Sequence, residues 1–225
     1  MRIDTLSPEG IFRVTAHISY DRSRKEDGIV ETSRRAAEFY SAVLTPFSVA
    51  AIESIVFSWF SPTGVGPVMS SGLSALFGIL ILCIGPFMPV AYCVRTGRTD
   101  LQISDRSKRR SIYIIGLIAY AVAVTVFWAT ENKIMFVLSV AYLCVCFAMM
   151  SITLVWKISA HTAATAGMAI AFCLVLGWWM LPVFVFTILM IWARVKLGAH
   201  TILQALAGTI VSIAVTAFVF VGLYV

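Results

Sequence analysis

The sequence predicts an all-α polytopic membrane protein, a bundle of about six to seven transmembrane helices with a polar site at one membrane face. Three observations carry the prediction. Of 225 residues, 60% are hydrophobic and only 12% are charged, against about 25% charged in an ordinary soluble domain. Apolar runs follow one another almost without interruption over residues 41–225, each matching the roughly 20 residues that a helix needs to cross about 30 Å of hydrocarbon. These runs far exceed the roughly ten alternating residues of a barrel strand, and a helix satisfies its own backbone polar groups where no water is available.

Residues 1–40 form a polar amino-terminal arm ahead of a transmembrane domain at 41–225. The arm carries seven basic side chains (Arg2, Arg13, Arg22, Arg24, Lys25, Arg34, Arg35) and seven acidic ones, which suits a solvated segment or a helix on the membrane surface. Its start holds Arg2, Asp4 and Glu9 with no apolar core behind them, unlike a signal peptide, so the first membrane helix is expected to serve for targeting. His17 reads as an isolated surface histidine.

The first membrane helix is expected over 41–60, with Pro46 near its start and Glu53 inside it. A carboxylate in hydrocarbon faces the bundle interior or a partner, and Glu53 reads equally as a group behind the site or as a structural one. Pro62, Gly64, Gly66 and Pro67 make a turn, and a second helix follows over 68–94. The basic stretch 95–110 comes next, including Asp105, Arg106, Lys108, Arg109 and Arg110; its ordinary reading is a loop that sets topology and meets anionic headgroups. Helices over 111–130 and 134–156 are joined by Glu131, Asn132 and Lys133. Those over 159–177 and 180–193 turn at Trp178, Trp179 and Pro182, aromatic anchors for an interface. A last helix covers 200–224. The five cysteines show neither disulfide nor zinc spacing and read as small hydrophobes between helices.

This order has a functional consequence. Two crossings separate the basic loop from the cluster Lys157, Ser159, Ala160 and His161, and two more separate that cluster from Arg194, Lys196, His200 and Gln204. All three polar clusters therefore return to one membrane face. His161 and His200 each begin an apolar helix, where free N–H groups and the helix dipole favour an anion. Arg194, Lys196, Lys157 and the basic loop add cationic donors, and an arginine fork suits phosphate oxygens. Beside a phosphate, one neutral imidazole can attack phosphorus while a protonated one gives its proton to the leaving oxygen. Gln204, four residues beyond His200, is expected on the same helix face, its amide oxygen accepting from the imidazole. Ser159 can donate to a phosphate oxygen. Neither histidine has a carboxylate near it in sequence and both sit among cations, so no metal is expected.

These residues resemble a known family. Lys157 to His161 looks like the serine-glycine-histidine motif of the type 2 phosphatidic acid phosphatase superfamily of membrane lipid phosphatases, with Ala160 where glycine is usual. Arg194, five residues, His200, three residues, Gln204 and then Gly208 resembles its third motif, and Asp105 to Arg110 holds the place of its basic first motif. The ordered set of three on one face is more specific than any member. The resemblance implies His200 as nucleophile forming a phosphohistidine, His161 as general acid, and Gln204, where aspartate is commonest, as the orienting partner. It further implies that Arg194, Ser159 and the basic loop hold the phosphate without metal or cofactor; of Arg106, Lys108, Arg109 and Arg110 in that loop, Arg106 and Arg109 are the ones favoured to point inward. Glutamine fixes a tautomer but supplies no negative charge to a developing imidazolium, which implies slower chemistry or a good leaving group.

Of the 17 basic residues, 16 fall on the site face and Lys133 opposite; setting aside the nine in the loop and motifs leaves seven against one. The positive-inside rule then places the arm and site in the cytoplasm. The expected partners are a phosphorylated lipid and the surrounding membrane lipids, with no nucleic acid. Hydrolysis of an isoprenoid diphosphate or a phosphatidate-like ester is the leading expectation. Cyclisation of a prenyl diphosphate, phosphotransfer to another acceptor, and non-catalytic lipid binding are the alternatives.

Overall fold

A computed structural model describes residues 31–97 and 106–225; residues 1–30 of the arm and 98–105 of the basic loop lie outside the described residues. Among the described residues the secondary structure is helical throughout, with no strand.

Helices α1 (Glu31–Val43) and α2 (Pro46–Phe60) meet at a bend of 54°. The single helix expected over 41–60 is thus corrected. Thr45 is extended and its Oγ1 accepts from Ser48 N at 3.1 Å, while Pro46 sits at the first helical position, where its missing N–H costs nothing. The residue before a proline is pushed out of the helical region, which is why the chain breaks there. α3 (Ser71–Gly78) continues through a π-helical turn (Ile79–Ile84) into α4 (Gly85–Arg95). Pro86 and Pro89 remove two N–H donors from this stretch, and a proline ring also crowds the preceding turn. α5 (Arg106–Ala129) and α6 (Lys133–Thr153) follow, then α7 (Ala160–Leu176), a 3-10 turn (Trp178–Val183), α8 (Phe184–Lys196) and α9 (Ile202–Leu223).

Five helical stretches are long and apolar enough to cross a membrane, or six if the bent α1–α2 pair counts as one span. The chain is an integral membrane protein by that measure. The remaining expected crossing is α7, apolar but only 17 residues long, or about 26 Å at 1.5 Å per residue.

α7 occupies the centre, packed against α9, α8 and α2. Ala163, Ala166, Ala169 and Ala171 are all buried along it, and such small residues let helix backbones approach where lipid offers no hydrophobic drive for association. Aromatic rings fill what remains: Phe57 of α2 stacks edge-on to Phe172 of α7 at 5.3 Å and lies 6.2 Å from Phe220 of α9. α6 closes the bundle by packing on α5 and α9.

One end of the bundle is closed by polar contacts. Asn132, fully buried in the turn between α5 and α6, donates Nδ2 to Ser74 Oγ at 2.9 Å and accepts from Met135 N at 3.2 Å. Ser74 Oγ lies 2.7 Å from Ser58 Oγ, and Lys133 Nζ donates to Tyr224 O at 3.2 Å. Buried polar groups must find partners; here they join α2, α3, α6 and α9 at the end remote from the histidines.

Candidate active site

The site is built around the end of α8. Arg194, in its last turn, is 4% exposed, and its Nη1 donates to Ser41 Oγ of α1 at 2.8 Å. The helix stops because Gly198 takes φ 64°, a left-handed conformation that glycine adopts without steric cost. The reversed chain then returns two N–H groups, those of Ala199 and His200, to the carbonyl of Arg194 at 3.1 and 3.3 Å. One tight turn thus fixes the guanidinium and the His200 imidazole relative to each other.

That turn is braced from the start of α7. Lys157 Nζ donates to Ala199 O at 2.7 Å, and Ser159 N donates to Gln204 O at 3.3 Å. Gly208 of α9 lies so close that a Cβ on it would come 2.5 Å from Ser159 O. The second residue of α7 is His161, so this packing sets it beside the turn that carries His200.

His161, Arg194 and His200 line one end of a cavity of about 210 Å³. The rest of the lining is mostly apolar, drawn from α2, α4, α5, α6 and α7, and includes Phe47, Val90, Gly116, Val145 and Met149 together with Tyr113, Tyr120 and Tyr142. Ala160 lines the polar end as well, which brings the positive end of the α7 dipole to the same place. The arrangement has one hydrogen-bonding cationic end and a long apolar interior. It suits an anion attached to a hydrocarbon.

The structure reassigns several residues expected in the phosphate cradle. Ser159 is fully buried as the N-cap of α7, its Oγ accepting from Thr162 N at 3.4 Å, and it is not among the cavity residues. Lys157 braces the loop through Ala199 O. Lys196 is exposed at the end of α8, away from the lining. Arg106, Lys108 and Arg109 form the first turn of α5, whose next residues Ile112 and Tyr113 do line the cavity; their own side chains lie outside the described residues.

The expectation that His200 and Gln204 share a helix face is corrected too. α9 begins at Ile202 with Thr201 as its N-cap, so His200 precedes the helix. Gln204 Oε1 accepts from Thr201 N at 3.2 Å and Thr201 Oγ1 accepts from Gln204 N at 3.3 Å, a reciprocal capping box. A glutamine that serves a cap has a small effect when removed. Gln204→Ala is expected to lower stability by about 0.5–1 kcal/mol and to leave turnover within a few-fold. Thermal unfolding and rate measurements on the variant check this, and a loss of two orders of magnitude in rate would restore the orienting role.

Sequence reasoning missed three contributors. Ser41 reaches Arg194 from a helix 153 positions away, a pairing that no local pattern announces. Gly198 was readable in principle as a glycine just past a helix carrying Arg194 and Lys196 in its last turn. Tyr142 Oη donates to Glu53 Oε2 at 2.5 Å, giving that buried carboxyl its partner below the cavity.

Among the described residues, no cluster of three or more His, Cys, Asp or Glu side chains is arranged to hold a metal ion. Comparison of the chain with protein-family models, with curated proteins and with solved structures gives no match.

Proposed function

We propose that this protein is an integral membrane hydrolase of lipid phosphates that works through a phosphohistidine. The observation that supports it is the convergence of His161, Arg194 and His200 at one end of an otherwise largely apolar cavity between the helices. Arg194 carries a permanent charge in a fork that matches phosphate oxygens, and two imidazoles supply a nucleophile and a proton donor.

His200 Nδ1 is buried, and Nε2 is assigned as the attacking nitrogen. Its lone pair forms the N–P bond as the P–O bond to the lipid breaks, and His161 delivers its proton to the leaving oxygen. Water then attacks the phosphohistidine, His161 takes a proton from that water, and phosphate leaves with both histidines restored. Among the described residues that line the polar end there is no carboxylate, which favours histidine over a metal ion as the reacting group. Positive-inside asymmetry supports a site on the cytoplasmic face, where isoprenoid diphosphates and phosphatidate-like esters are the candidate substrate classes.

The test is phosphate release by the purified protein in detergent with chelator, from a prenyl diphosphate, a prenyl monophosphate and phosphatidate. Chelator-resistant release from at least one is expected. Background release across the panel would overturn the hydrolase reading, and a cyclised hydrocarbon or phosphorylated acceptor among the products would replace hydrolysis by ionisation or transfer.

A further inference from the structure

We infer that Tyr142, held by Glu53, is the floor of the lipid-tail cavity and sets the length of tail that the site accepts; the inference rests on the lipid-phosphate reading of the polar end. A second cavity of about 40 Å³ lies beyond the first, lined by Glu53, Leu138, Gly167, Ser212 and Thr216 among others. Tyr142, Val145, Ala163 and Ala164 line both. The partition is therefore one layer of side chains thick, and Tyr142 is the one large member of it.

Tyr142 is fixed in place. Its Oη donates to Glu53 Oε2 and its ring lies 5.3 Å from that of Tyr120. Glu53 is 2% exposed inside the bundle, a costly position for a carboxyl group that the tyrosine bond makes tenable. Along α6 the first cavity runs from Met149 down to Tyr142, seven residues or about 10 Å. Its 210 Å³ exceeds the ~150 Å³ void that holds a benzene ring, room for a short prenyl portion next to the phosphate and not for a long acyl chain. The favoured substrate class is a phosphate or diphosphate on a short, slim tail.

Water-soluble n-alkyl phosphates from ethyl to octyl, titrated calorimetrically into the purified full chain, test the floor without requiring turnover. Affinity is expected to rise about fourfold per buried methylene and then to level where the tail meets Tyr142. Tyr142→Ala moves the levelling point to longer chains. Ala164→Leu, which adds volume at the same partition and does not depend on the first variant folding, moves it to shorter ones. Glu53→Gln keeps the wild-type profile, because an amide oxygen still accepts the tyrosine bond. The same levelling point in wild type and both cavity variants would overturn the floor. Length-graded binding with the expected shifts but no hydrolysis of any substrate would overturn the hydrolase reading and leave the floor standing. No affinity for any alkyl phosphate would overturn both.

Discussion

His200→Ala is expected to reduce phosphate release by about 10³-fold or more while the protein keeps its thermal stability. The alanine removes the attacking nitrogen and leaves the backbone bonds of the turn, those of the N–H groups of residues 199 and 200 on Arg194 O. Arg194 and the apolar cavity remain, so binding of an unreactive alkyl phosphate is preserved and the loss falls on kcat. A labelled substrate quenched in alkali, in which phosphohistidine survives, leaves label on the wild type and none on the variant. His161→Ala behaves differently: label still accumulates from substrates with a good leaving group, since only the proton donor is gone. Undiminished release by His200→Ala would remove histidine nucleophilic catalysis from this site.

Gly208→Ala is expected to destabilise the fold and to disturb the site with it. The new methyl carbon would stand 2.5 Å from Ser159 O and 2.9 Å from Thr162 Oγ1, and neither can yield easily. Ser159 O belongs to the capped first turn of α7, and Thr162 Oγ1 is bonded to Ala205 O at 2.9 Å. The helices must separate, at a cost of about 1–3 kcal/mol. That separation carries His161 away from His200, so activity falls with stability. Gly222→Ala, in the same helix but with no atom within 4 Å of its added carbon, is the control and is expected to be neutral. Equal melting temperatures for the two variants in detergent would contradict the close α7–α9 contact.

The helical, membrane-spanning character was legible because it follows from composition and from the length of the apolar runs. So was the meeting of His161 with Arg194 and His200, since two helices between clusters return the chain to the same end. The detail that failed is of one kind. Ser159, Lys157 and Gln204 are polar residues near the site, and sequence cannot distinguish a side chain offered to a ligand from one spent on a cap or a carbonyl. The structure uses Ser159 and Gln204 as helix caps and Lys157 as a brace. The break at Thr45 had a signal, a threonine before a proline, that the continuous apolar run around it outweighed. The π turn at Ile79–Ile84 had none beyond the prolines that follow it.

The shortness of α7 has a consequence for how a lipid reaches the site. At about 26 Å, α7 falls ~4 Å short of a typical hydrocarbon thickness, whereas its neighbours α6 and α9 have 21 and 22 residues. A span of α7's length reaches both headgroup planes only where the bilayer thins, and with its far end at the opposite interface its histidine end would lie below the surrounding headgroups. A phosphate drawn from the membrane must sink to meet it, or the leaflet must thin around the protein. Bilayer thickness thereby becomes a determinant of access, with thin membranes presenting the headgroup nearly level with His161 and thick ones holding it above.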